Sequence, residues 1–303
     1  VRVPEFHPDL RRAARFSPRS MVTPYTLPLL RGAARLMDRR TPDDVEVLTL
    51  PSGVGVRLHR PPNSTGARPG LVWIHGGGYV IGSASQDDGL CRRFARQLGV
   101  TVASVDYRLA PEYPYPTSLE DCYAVLTWLA GLPAVDPNRI AVGGASAGGG
   151  LAAALALLAR DRGEVTLAAQ LLVYPMLDDR SGHEVGPDDS SHRLWSRASN
   201  RFGWSSYLGD ADPNVTVPAR HDELGGLPAA WVGVGTVDLF HDEDLAYAER
   251  LREAGVSCDV EIVPGAFHGF DGVAAKAPVS QAFFSAQVEF LRRTLTQSET
   301  ADV

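Results

Sequence analysis

Ser146 stands in the pentapeptide GASAG, residues 144–148. The apolar run RIAVGG leads into it, and an alanine-rich run from Ala147 to Arg162 follows at once. G-x-S-x-G between a strand pattern and a helix pattern is the frame of a nucleophile elbow, a turn so sharp that the hydroxyl stands exposed. Small residues two before and two after relieve the clashes that such backbone angles create. The helix that follows aims its free N–H groups at any anion formed beside the serine. The plainer alternative is that Ser146 only caps that helix.

A second glycine cluster, HGGGYVIGS, begins at His75 directly after the apolar run LVWIH. Consecutive glycines let peptide N–H groups approach a ligand without Cβ obstruction. An acyl-transfer site needs such donors about 3 Å from its oxyanion. Phosphate-binding readings fail, because neither the G-x-x-x-x-G-K-[ST] loop nor the G-x-G-x-x-G spacing of a dinucleotide loop occurs in the chain.

A serine hydroxyl needs a base. Of the eight histidines, His268 in VPGAFHGFDG follows the final strand pattern and shares a sheet edge with the other strand ends. His75 sits inside the glycine loop and orients it. His7, His59, His183, His192, His221 and His241 lack a comparable setting. The imidazole in turn needs a carboxylate that fixes its tautomer. Asp238 in VGVGTVDLFHDE lies just past a strand end and is preferred. Asp242 is the competitor, one turn later and well placed to cap a helix. The order Ser146, Asp238, His268 is that of α/β-hydrolases, not of chymotrypsin or subtilisin. The run HDED reads as helix-start capping and solvated charge, and no metal site or cofactor is expected.

The elements that must position these groups follow from periodicity. VEVLTL and GVGVRLHR, separated by PSG, predict an antiparallel hairpin. Short apolar runs then alternate with helical stretches: strands at LVWIH, TVASVDY, RIAVGG, LAAQLLVYP, AAWVGVG and CDVEIV, and helices at 87–98, 118–130, 147–162, 242–254 and 280–295. Such alternation implies an α/β fold with a mostly parallel, eight-stranded sheet covered on both faces. Residues 8–40 read as one or two amphipathic helices interrupted by SPRSMVTPYTLP. Residues 178–228 break the rhythm and read as a helical insertion between two sheet strands. Neither internal repeat nor low-complexity linker is present.

The 303 residues suffice for a large core, and 44% hydrophobic with 21% charged residues marks an ordinary globular protein. Arg11, Arg12, Arg15, Arg31, Arg35, Arg39 and Arg40 concentrate near the start. Their helical spacing describes a solvated face, and the net charge of -7 argues against a nucleic-acid partner. Cys91, Cys122 and Cys258 show neither disulfide nor metal spacing and read as buried thiols of a cytoplasmic protein. The first thirty residues hold no signal-like apolar run. The longest apolar stretch, Leu151 to Ala159, is too short to span a bilayer, so no membrane association is expected.

HGGGYVIGS, VDYRLAPEYPYP, GGASAGGGLA, DLFHDE and FHGF, in this order from about residue 45 to the end, resemble the hormone-sensitive-lipase-like branch of the α/β-hydrolases, the bacterial family IV carboxylesterases. The resemblance implies that N–H groups of Gly76, Gly77 and Ala147 form the oxyanion hole. It implies that Asp106 to Glu112 brace the site without entering the chemistry. It further implies a helical cap, with residues 1–40 and 185–215 over a core of 41–184 and 216–303, and pairing of relatives into a homodimer through the last strand and helix. One departure is Ala145, where many relatives carry Asp directly before the nucleophile; the triad does not need that Asp. The aromatics Tyr79, Trp195, Phe202, Trp204 and Tyr207 are candidates for lining the pocket, although the spacing from Trp195 to Trp204 does not fit one helical stripe. The expected activity is serine carboxylesterase action on short- to medium-chain esters. Amide or N-acetyl hydrolysis with the same groups, and ligand binding without catalysis, are the alternatives.

Overall fold

The computed structural model describes residues 5–37, 42–62, 66–183 and 191–296. Its scaffold is one eight-stranded sheet in the order β1-β2-β4-β3-β5-β6-β7-β8. The strands are β1 Glu46–Thr49, β2 Gly55–His59, β3 Arg68–Ile74, β4 Thr101–Asp106, β5 Val135–Ala145, β6 Ala169–Val173, β7 Ala229–Gly235 and β8 Cys258–Val263. β1 with β2, and β2 with β4, pair antiparallel; the remaining pairs are parallel. The turn after β1 closes through Leu50 N–H to Val54 O at 2.9 Å, and Gly53 takes the positive φ it needs. Two strands begin earlier than their apolar runs. Arg68 pairs with Val135 before a register shift, so β3 and β5 start ahead of the residues whose burial marks them in the sequence.

The helices are α1 Arg11–Phe16, α2 Leu27–Met37, α3 Asp88–Leu98, α4 Thr117–Ala130, α5 Ala147–Arg162, α6 Arg197–Leu208, α7 Pro213–Thr216, α8 His241–Glu253, α9 Phe270–Val273 and α10 Pro278–Thr296. Alternation along β3 divides the core. Val72 and Ile74 join the layer packed with α4 and α5, whereas Leu71 and Trp73 face the layer of Phe94, Phe283 and Leu291. Both faces of the strand are dry, as a parallel sheet requires.

The N-terminal segment lies against the segment that carries α6. Ser199 Oγ donates to Val22 O at 2.8 Å, Leu194 N–H to Pro18 O at 2.7 Å, and Arg193 Nε to Ala14 O at 2.7 Å. The expected domain boundaries at 40/41 and 184/185 fall at or outside the edges of the described residues, as do Arg39 and Arg40. Among the described residues no helix is long and apolar enough to cross a membrane. All three cysteines are buried free thiols.

Candidate active site

Four loops at the carboxyl ends of parallel strands meet at one point, the place where an open α/β sheet offers its crevice. β5 ends at Ala145, and Ser146 follows with φ 58° and ψ −123°, a strained conformation for a residue with a side chain. The strain is held by neighbours: Ser146 N–H donates to Val173 O and its carbonyl accepts from Met176 N–H, each at 2.9 Å. The turn is tight enough that a Cβ on Gly148 would stand 2.0 Å from Ile74 O. Only glycine fits two residues beyond the serine.

His268, on the loop after β8, brings Nε2 to 2.9 Å from Ser146 Oγ. Its Nδ1 lies 2.9 Å from Asp238 Oδ2, on the loop after β7. With Nδ1–H donating to the carboxylate, Nε2 is left as the acceptor for the serine hydroxyl. All three side chains are buried. Tyr174 and Phe240 meet the imidazole edge-on, at 4.9 and 5.1 Å between ring centroids, and fix its plane. Asp238 also accepts from Phe240 N–H at 3.0 Å. Asp242, the competitor, is almost fully exposed and among the described residues meets His241 alone. The geometry thus favours Asp238 for the acid position.

The glycine loop after β3 lies alongside the serine. A Cβ on Gly76 would stand 3.3 Å from Ser146 Cβ, and Gly77 adopts φ 128°, where a Cβ would strike Ile81 O at 2.0 Å. Gly77 O accepts from Val80 and Ile81 N–H, which winds the loop into a tight turn. His75 is buried, with Nδ1 2.8 Å from Gly76 O and its ring stacked on Tyr107 at 4.2 Å. Tyr107 donates its hydroxyl to His75 O, and Asp106 accepts from Ala84 N–H. The segment from Asp106 therefore buttresses the loop. Ala147 opens α5, so its N–H has no intrahelical acceptor.

A cavity of about 310 Å³ stands over Ser146, walled by Gly76, Gly77, Ala145 and His268, with Met21, Val22, Leu194 and Trp195 above. Of the five expected pocket aromatics, Trp195 alone reaches it. Tyr79, Trp204 and Tyr207 are a buried stack, with Tyr79 and Tyr207 rings 4.1 Å apart and Tyr79 and Trp204 rings 5.3 Å apart. Phe202 is half-buried against the same core. Burying these large rings fastens α6 to the sheet domain, and that outweighs lining an open cavity. Met21, Val22, Leu194 and Tyr174 were missed as wall residues. Leu194 adjoins Trp195, and Tyr174 closes the apolar run of β6, so a strand-end rule could have found the latter; Met21 and Val22 sit in a segment without periodicity.

Burial raises several acids nearby. Glu243 is pushed up to about 8 while its Oε1 accepts from Leu177 N–H at 2.7 Å and Asp178 N–H at 3.1 Å. Burial pushes Asp87 up to about 6, against the hydrogen bond it accepts from Trp73. Among the described residues no group of three or more His, Cys, Asp or Glu side chains is placed to hold a metal ion.

A family model described as the alpha/beta hydrolase fold matches residues 71–272. Esterase LipI of Mycobacterium tuberculosis is 37% identical over 242 residues, 76% of this chain and 75% of that protein. Carboxylesterase NlhH of the same species is 35% identical over 254 residues, 80% of this chain and 79% of the relative. Among solved structures, a bacterial heroin esterase superposes with a TM-score of 0.86 at 36% identity, covering 97% of this chain and 99% of the other. Esterase LipW from Mycobacterium marinum gives 0.84 at 33%, with the same coverage. Its sheet, its strand-end loops and these alignments together establish that the chain belongs to the α/β-hydrolase family, in the hormone-sensitive-lipase-like branch.

Proposed function

We propose that the protein is a serine carboxylesterase in which Ser146, His268 and Asp238 form the catalytic triad. The observation that carries this reading is the unbroken line from Asp238 through His268 to Ser146 Oγ, with 2.9 Å at each step. His268 Nε2 takes the serine proton as Oγ attacks the ester carbonyl. The tetrahedral oxyanion is received by N–H groups of Gly76, Gly77 and Ala147. His268 then returns the proton to the departing alcohol, leaving an acyl group on Ser146. Water, deprotonated by the same imidazole, releases the acid. Asp238 stays ionised throughout and steadies the imidazolium. The naming of LipI, LipN and NlhH as esterases or ester hydrolases supports the reaction class.

The N-terminal segment and the stretch leading into α6 act as a cap, since Met21, Val22, Leu194 and Trp195 cover the serine from those two segments. Replacement Ser146→Ala tests the nucleophile. Hydrolysis of p-nitrophenyl butyrate should fall by roughly 10⁴ to 10⁶ in kcat with folding unchanged. A folded variant that keeps a tenth of the wild-type rate contradicts the assignment.

A further inference from the structure

Beside the cavity over Ser146 lies a second chamber of about 340 Å³, between the sheet and α3, α9 and α10. The two share Gln86, Asp87, Ala145, Tyr174 and Gly272 as walls. The departure from the family pattern at Ala145 therefore falls on the wall that the two spaces share, where the side chain is a methyl group. Most of the chamber's lining is apolar, with a few polar groups set into it. Asp87 faces it with Oδ2 accepting from Trp73 Nε1 at 2.8 Å; among the described residues Oδ1 has no hydrogen bond. Asp271 faces it too, accepting from the Tyr174 hydroxyl at 2.7 Å. Ser280, 2% exposed, presents a buried Oγ with no partner. Arg93 is present, but its guanidinium lies 3.6 Å over the Phe284 ring and donates to Gln281 Oε1. Two carboxylates, Asp87 and Asp271, thus face the chamber beside the amides of Gln86 and Gln287, and the buried Ser280 Oγ is left unmatched, which costs stability unless a ligand meets it.

We propose that this chamber receives the far end of the substrate's acyl group and selects esters whose acyl chain ends in a hydrogen-bond donor, best a cationic amine, held by Asp87 and Asp271. The assignment to the acyl side follows from proximity: the acyl group is the part of the ester that stays bonded to Ser146 Oγ, and Ala145, the residue directly before Ser146, is a wall that the chamber shares with the catalytic cavity. Ser280 adds a hydroxyl that can either accept or donate. This inference rests on the esterase reading above, and its test keeps the two apart.

At pH 8, where Asp87 is ionised, kcat/KM is measured for p-nitrophenyl butyrate and for three esters of matched shape: the cyclohexylacetate, the piperidin-4-ylacetate and the tetrahydropyran-4-ylacetate. Each rate is divided by that ester's hydroxide rate. The wild type should favour the piperidinyl over the cyclohexyl ester by about tenfold, the worth of one charge-assisted hydrogen bond, and should not favour the tetrahydropyranyl ester, which only accepts. Asp87→Asn and Asp271→Asn should each pull that ratio toward one. Equal or inverse preference in the wild type, or a ratio untouched by both substitutions, overturns the chamber's role. Loss of butyrate turnover in the folded wild type would instead overturn the esterase reading. The chamber is then tested by calorimetry, where binding of piperidin-4-ylmethanol but not cyclohexylmethanol upholds it and binding of neither overturns it.

Discussion

Asp238 does two jobs with one carboxylate: it accepts from the imidazole of His268 and from Phe240 N–H. An amide in its place could keep the shape while offering a donor where the ring needs an acceptor, and the imidazole would flip its tautomer. Asp238→Asn should therefore lower kcat by about 10⁴ with little change in thermal stability. Asp242→Asn should leave kcat within about twofold, since that side chain meets solvent and His241. Steady-state kinetics on both variants decide it; equal losses would contradict the choice of acid. Residues of this kind were legible because each sits where an apolar strand pattern stops and a loop or helix begins. Tyr79, Trp204 and Tyr207 were not, because sequence shows that a ring is present but not whether it faces a cavity or another ring.

Helix α8 opens with Asp242, Glu243 and Asp244, three acids at the positive end of a helix dipole. Position separates them: Asp242 stands in water, whereas Glu243 and Asp244 turn inward and burial raises both. Glu243 holds the backbone of 177–178, and that stretch continues from Met176, whose N–H meets Ser146 O. Its folded carboxyl keeps a proton up to about 8, against an ordinary 4.5. Across that window the folded state binds more protons than the unfolded one, so this group's contribution to stability declines as pH rises and is level above about 8. Glu243→Gln retains the accepting oxygen and removes the titration. The variant's Tm relative to wild type should climb by roughly 5 °C between about pH 5 and 8. Calorimetry at several pH values checks this, and parallel curves would contradict it. The elements themselves were legible from alternating apolar strands and helices. The early starts of β3 and β5 were hidden because Arg68 and Val135 pair beyond a bulge, outside the continuous apolar runs.

For the whole molecule, the site is a small chamber between the sheet edge and two packed segments, one carrying Met21 and Val22 and the other Leu194 and Trp195. At about 310 Å³ it lies at the low end for small-molecule pockets. These segments are tied down by Ser199 to Val22, Leu194 to Pro18 and the ring stack under α6, so among the described residues they are held closed over the serine. Rates on p-nitrophenyl esters should rise over short acyl chains, with each seated methylene adding up to ~0.8 kcal/mol, and decline beyond about eight carbons. Tributyrin emulsions should give no jump in rate above the solubility limit. A maximum at twelve carbons or more, or interfacial activation, would contradict the closed chamber. The contacts of Ala14, Pro18 and Val22 with residues 193–199 join two segments far apart in sequence; periodicity alone gives each segment its helices but no indication that they meet.

The central claim is that Ser146 is the nucleophile that His268 and Asp238 activate. The most direct measurement is intact-mass spectrometry and peptide mapping after exposure to diethyl p-nitrophenyl phosphate, whose phosphoryl group traps an activated serine. The account predicts one diethylphosphoryl adduct per chain, located on Ser146, formed in step with loss of esterase activity, and absent from Ser146→Ala. Activity lost without an adduct on Ser146, or an adduct on another residue that accounts for the loss, would contradict it.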